Sequence, residues 1–157
     1  MTNFPTIFVD MDGVLADFDS GYEQMLGTRP SIAAENVDWQ AVCRVESFYA
    51  RLPPMPDFAD LWRGLEPFRP VILTGVPSSV ADAPAHKRAW VDRHIGQAQP
   101  MIACLSKDKS LHIRNPGDVL IDDWEKYRSL WIGRGGRWIT HVTARASLAE
   151  LTHLLAC

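Results

Sequence analysis

The stretch Thr6-Ile7-Phe8-Val9-Asp10-Met11-Asp12-Gly13 is the point from which the rest of the chain is read. Thr6 to Val9 are all β-branched or aromatic, which predicts a short buried strand running to Asp10. The strand ends in an acid, and a second acid follows two residues later. Along an extended chain residues i and i+2 project to one face, so Asp10 and Asp12 point together while Met11 turns inward. Taken alone, Asp-x-Asp-Gly reads as readily as a turn, because Asp and Gly both favour turns.

A second acidic strand end changes that balance. Asp118 to Asp122 (DVLID) is another apolar run, and it closes on Asp122-Asp123. Pro70 to Thr74 (PVILT), Met101 to Leu105 (MIACL) and Trp138 to Val142 (WITHV) supply three more strands, with helical patterns between them. Apolar runs alternating with helices predict an α/β fold, a Rossmann-like doubly wound parallel sheet of five strands covered on both faces. In such sheets ligands bind outside the carboxyl ends of the strands, where strand order reverses. If the strands ending in Asp10 and Asp122 are neighbours, Asp10, Asp12, Asp122 and Asp123 converge on one small volume. Four carboxylates there cannot all stay ionised without a cation. The donors are hard oxygens with no His or Cys nearby, so Mg²⁺ is the expected metal and Zn²⁺ is not.

The connection from the first strand to Pro70 is far longer than one crossover helix requires. Gly21 to Gly27, Ile32 to Cys43 and Ser47 to Arg51 look helical, interrupted by Arg29-Pro30 and Leu52-Pro53-Pro54. Residues 22–55 are therefore expected to form a small, mainly helical cap inserted in a single domain whose core is 1–21 and 56–157. Core helices are expected at Asp57 to Leu65, Asp82 to Ile95, Trp124 to Arg134 and Arg145 to Leu155. Gly133-Arg134-Gly135-Gly136 precedes a strand and reads as a helix stop rather than a phosphate loop.

Composition narrows the function classes. Of 157 residues 46% are hydrophobic and 22% charged, ordinary globular usage, and the net charge of -3 gives no basic surplus for a nucleic-acid polymer. No apolar run approaches the length of a membrane span, and the N-terminus lacks a basic n-region. Cys43, Cys104 and Cys157 form neither a disulfide framework nor a metal-ligand spacing, which points to a reducing, cytoplasmic compartment with Cys104 in the core.

Other groups could serve a phosphoryl ligand. Thr74 and Gly75 end the second strand, where a hydroxyl and an unencumbered amide can donate to an anion. Lys87 follows near the start of a helix. Each is weak alone, since Lys87 by itself reads more readily as a solvated surface lysine. Combined with two acid clusters they supply metal, nucleophile and anion cradle for phosphoryl transfer.

In this combination the sequence resembles the haloacid dehalogenase-like hydrolase superfamily: DMDGVLADF is similar to its first motif, ILTG to its second, Lys87 to its third and LIDD to its fourth. Within it the chain most resembles the 5′(3′)-deoxyribonucleotidase group, through FYARLPPMP, KRAWV, SKDKS and LIDDW. The resemblance implies a phosphoric monoester hydrolase in which Asp10 attacks phosphorus and carries an aspartyl phosphate, and Asp12 acts as acid and then base. It implies Mg²⁺ on the Asp10 carboxylate, the Asp12 carbonyl and an acid of the fourth motif, Asp123 directly with Asp122 in support. Thr74, Gly75 and Lys87 would hold the phosphoryl oxygens. Phe18 and Phe48 would sandwich a nucleobase, with Tyr49 and Trp39 as further candidates. An acid at position 12 favours phosphate esters over dehalogenation, because an alkoxide needs a proton to leave. The expected substrate is a small phosphomonoester, foremost a mononucleotide. A sugar phosphate, or a non-catalytic phosphate-ligand-binding domain, is the alternative. Lys109 in SKDKS is the lysine of that loop which the resemblance favours, and Lys107 reads as solvated. Trp124 and Trp131, seven apart, are expected to pack on one helix face.

Overall fold

The computed structural model describes residues 4–30 and 36–156. One all-parallel sheet contains β1 (Ile7–Val9), β2 (Val71–Gly75), β3 (Met101–Cys104), β4 (Val119–Asp122) and β5 (Arg137–Thr140), in the order β3-β2-β1-β4-β5. The expected Rossmann-like α/β class is therefore the observed one. The chain steps outward from β1 to β3, then crosses back to place β4 on the other side of β1, so the order reverses between β1 and β4. Register fixes what meets there. Val9 pairs with Ile121, and the Asp10 amide donates to the Ile121 carbonyl at 2.9 Å, which sets the two acidic strand ends side by side.

Side-chain alternation divides the core into two layers. Ile7, Val9, Ile72, Val119, Ile121 and Ile139 face α3 (Phe58–Leu65), α4 (Ala83–His94) and α6 (Ala144–Ala156), which contribute Leu61, Leu65, Trp90, Val91 and Leu151. Phe8, Val71, Leu73, Leu120 and Trp138 face a thinner layer, built on Trp131 of α5 (Arg128–Gly133) and on Ile113. Gly64 lets α3 approach α6 closely, since a Cβ there would overlap Leu148.

Between β1 and α3 the chain makes the long excursion expected from sequence, carrying α1 (Phe18–Leu26) and α2 (Trp39–Arg44). Asp17 caps α1 by accepting from the Ser20 amide, so the helix starts before Gly21, and Gly27 ends it at φ 79°. Asp38 caps α2 in the same way. The helix expected from Ile32 begins outside the described residues and is observed from Trp39. The excursion closes at its base, where the Asp17 amide donates to the Pro53 carbonyl and the Met55 amide to the Leu15 carbonyl, both at 2.8 Å. Trp90 Nε1 donates to the Leu52 carbonyl at 2.8 Å, tying α4 to the returning chain.

The expected continuous helix over Trp124 to Arg134 is corrected. A 3₁₀ turn, Glu125–Tyr127, precedes α5, because Asp122 Oδ1 accepts from the Trp124 amide at 2.9 Å and turns the chain before the helix can begin. Trp131 is buried while Trp124 is 38% exposed, so the two do not share a packed face. Cys104 is half-buried and packs against the thinner layer. No helix among the described residues is long and apolar enough to cross a membrane.

Candidate active site

Asp10, Asp122 and Asp123 each bring a carboxylate oxygen within 4.8 Å of one another at the carboxyl ends of β1 and β4. The turn after β1 shapes this cluster. The Met11 carbonyl accepts from the Val14, Leu15 and Ala16 amides, and Gly13 takes φ 77°. Gly13 also gives room: a Cβ there would overlap the Asp123 carboxylate, so that acid lies directly against the turn.

Two buried lysines flank the acids, and they do different things. Lys109 Nζ donates to Asp10 Oδ1 at 2.8 Å and to Asp122 Oδ2 at 2.6 Å, bridging the two strand ends. Lys87 is wholly buried, and its ammonium donates to Asp12 Oδ2 at 2.6 Å, to the Gly75 carbonyl at 2.7 Å and to Thr74 Oγ1 at 2.8 Å. An ammonium has three protons. All three of Lys87's are used within the protein, and its Nζ lies 4.6 Å from the Tyr49 ring centroid. Lys109 spends two.

Electrostatics follow from this crowding. Asp123 is exposed, yet partial desolvation in the cluster, with Asp10, Asp122 and Asp12 nearby, pushes its carboxyl up to about 8. Burial and Asp10 raise Asp122 to about 6 against the pull of Lys109. Asp12 is raised by burial, partly offset by Lys87. Lys109 loses to desolvation less than it gains from Asp10 and Asp122, and its ammonium is held above the usual lysine range. With all four carboxylates ionised, the two ammonium groups would leave two negative charges, the charge of one divalent cation; without an ion the raised acids hold protons instead. The donors fit such an ion. Asp123 carries no hydrogen bond from another side chain among the described residues, whereas Asp122 has both oxygens engaged. Oxygen-only donors suit Mg²⁺.

These groups open onto a cavity of about 820 Å³, which Asp10, Asp12, Asp122, Asp123, Gly75 and Lys109 help line. Thr74, fully buried, lies behind it with its hydroxyl accepting from Lys87. Lys87 does not line the cavity either. Gly75 does, with the Ser106 hydroxyl packed where a Cβ would stand.

The aromatic residues separate in the same way. Phe18, Trp39 and Tyr49 reach the cavity wall, but Phe48 is not brought to it. Its ring is 1% exposed, wedged among Phe18, Tyr22 and Tyr49 at 5.2–6.3 Å. On the core side the wall includes Trp124 and Tyr127, which sequence reasoning did not place there. Of the two lysines in SKDKS, Lys109, the one the resemblance favours, is brought to the acids, and Lys107, read as solvated, is exposed. On the 3₁₀ segment Ser106–His112, with three residues per turn, positions two apart face different ways, so one is buried and the other exposed.

No protein-family model matches the chain. Individual proteins do. A Vibrio phage KVP40 protein named as a 5′(3′)-deoxyribonucleotidase is 31% identical over 126 residues, covering 80% of this chain and 69% of its own. A Bordetella pertussis protein of the same name is 28% identical over 144 residues, 74% of this chain and 73% of its own. The human cytosolic-type 5′(3′)-deoxyribonucleotidase is 27% identical over 150 residues, 78% and 72% of the two chains.

Proposed function

Because the chain belongs to the 5′(3′)-deoxyribonucleotidase family, we propose that it is a Mg²⁺-dependent phosphatase of the haloacid dehalogenase type, hydrolysing a (deoxy)nucleoside monophosphate. The observation that carries this reading is the pairing of Asp10 with Lys109 inside a three-carboxylate cluster, beside a raised Asp12, on one 820 Å³ cavity.

In the proposed reaction Asp10 Oδ2 attacks phosphorus while Lys109 holds Oδ1. The ester P–O bond breaks, its electron pair leaves with the alkoxide, and Asp12 delivers a proton to that oxygen. Asp12 then takes a proton from water, whose oxygen attacks phosphorus. The bond to Asp10 breaks, the carboxylate is regenerated and inorganic phosphate leaves. Asp12 suits both steps. Its pKa is raised toward the working range, Oδ2 is fixed by Lys87, and Oδ1 is buried without a partner. Mg²⁺, held by Asp10, Asp123 and the Asp12 carbonyl with Asp122 in support, would neutralise charge on the phosphoryl oxygens.

Lys109 and Gly75 are the groups of this set that face a bound phosphoryl. Lys87 and Thr74, assigned that contact by resemblance, instead orient Asp12 from behind, because the Lys87 ammonium has no proton to spare. The described part of residues 22–55 would serve as the cap over the phosphate ester. The free thiols Cys43 and Cys104 accord with a reducing, cytoplasmic setting.

Phosphate release measured with Mg²⁺ and with EDTA, on 5′- and 3′-(deoxy)nucleoside monophosphates and on sugar phosphates, tests the proposal. Metal-dependent release favouring deoxynucleotides supports it. Release confined to sugar phosphates keeps the chemistry and discards the nucleotide. If no compound is hydrolysed, a non-catalytic phosphate-binding domain becomes the better account.

A further inference from the structure

One exposed ring of the cavity wall, next in sequence to the acids that close β4, is a residue whose spacing predicts helix packing. We propose that Trp124, backed by Tyr127 and Lys126, is the stacking surface for the planar ring of the substrate, and so the residue that favours nucleotides over phosphate esters without a ring. The inference rests on the nucleotide reading above and goes beyond it.

Three observations carry it. Trp124 immediately follows the acid pair Asp122-Asp123 and lines the same cavity, so a leaving group attached to a phosphoryl at Asp10 has this indole within its surroundings. The ring is exposed yet held. It keeps 38% of its surface accessible, while Asp122 Oδ1 anchors its backbone amide, Tyr127 meets it edge-on at 5.5 Å and Lys126 Nζ lies 5.3 Å over it. Leaving so large an apolar side chain uncovered forgoes burial free energy that Trp131, seven residues on, does collect.

Of the three cap rings on the cavity wall, Phe18 and Tyr49 are in the opposite condition, while Trp39 is partly exposed with one ring contact, to Phe18 at 6.2 Å. Phe18 contacts four rings at 5.6–6.2 Å, and Tyr49 is 1% exposed beneath the Lys87 ammonium. Rings saturated by one another hold the cap together and offer little free face. Trp124 has no ring contact with any of them among the described residues, so it forms a separate aromatic wall from the core side. Stacking on an indole is tolerant of base identity, since every base has a π-face. A wall of this kind selects for a base without selecting among bases.

The test compares wild type, Trp124→Ala and Trp124→Phe on thymidine 5′-monophosphate, deoxyadenosine 5′-monophosphate and 2-deoxyribose 5-phosphate. The ratio of kcat/KM for either nucleotide to that for the sugar phosphate is expected to fall about 5- to 150-fold in Trp124→Ala, mainly through KM. Trp124→Phe is expected to recover most of it. An unchanged ratio, or equal losses on all three compounds, overturns the inference while leaving the nucleotidase reading in place. Calorimetric binding of thymidine 5′-monophosphate to Asp10→Asn, with and without Trp124→Ala, reads the same effect without turnover. A weakening of the same size supports stacking, and equal affinity overturns it. If Asp10→Asn binds no nucleotide while wild type hydrolyses the sugar phosphate, stacking fails together with the nucleotide, and the phosphatase chemistry stands.

Discussion

Lys87 and Lys109 are both buried ammonium groups against aspartates, yet they pair with different acids and keep different company. Lys109 joins two strand ends and faces the cavity, with two of its protons spoken for. Lys87 comes from α4, serves Asp12, Thr74 and the Gly75 carbonyl, and is closed off by Tyr49. A lysine with an open side can meet an incoming anion, whereas one whose protons are all taken can only set the geometry of its neighbours. The resemblance implies Lys87 on the phosphate; on the reading proposed above, hydrogen-bond valence gives that task to Lys109.

Substitution separates the two. Lys109→Met leaves Asp10 and Asp122 buried without their shared counter-charge. Activity is expected to fall about 10³-fold, with KM rising, and the metal-free protein to lose about 3–5 kcal/mol in urea unfolding. Lys87→Met is expected to lower kcat about 10²-fold, the size of a general-acid contribution, with KM little changed. Equal KM increases in the two variants would erase the distinction.

Smaller effects sharpen it from the metal side. Gly13→Ala places a Cβ against the Asp123 carboxylate at a positive φ, and about tenfold weaker Mg²⁺ activation is expected in a metal titration. The smallest effect is on pH dependence. Asp123 at about 8 and Asp122 at about 6 lie above their unfolded value of 3.8, so the folded state favours their protons. That stability is complete below the unfolded value and is lost as pH rises through about 8. His141 and His94 are lowered by burial, so their contributions are already complete above pH 6.5 and do not offset the trend. Tm in EDTA is therefore expected to fall between pH 6.5 and 8.5, and saturating Mg²⁺ to shrink the fall. A Tm in EDTA that rises over this range would contradict the charge balance drawn above.

Much of this was legible in the residues. β1, β2 and β4 announce themselves as apolar runs, and the acids closing β1 and β4 need only strand adjacency to converge. The excursion before Asp57 follows from connection length. What local pattern could not supply is long-range. Lys109 is 99 residues from Asp10, and it is the resemblance carried by SKDKS, not residue spacing, that singles it out over Lys107. The seven-residue spacing of Trp124 and Trp131 mimics a helix face, but the Asp122 carboxylate captures the Trp124 amide and sends the indole to the cavity. Phe48 matches a binding position by order along the chain, yet packing against three neighbouring rings buries it.

The central claim is that Asp10 carries the phosphoryl group. Acid quenching during turnover of a nucleoside monophosphate, followed by peptide mass spectrometry, tests it most directly. A phosphoryl adduct is expected on the peptide containing Asp10, absent in Asp10→Asn, whose turnover is also lost. An adduct on another residue, or steady phosphate release by Asp10→Asn, would contradict the account.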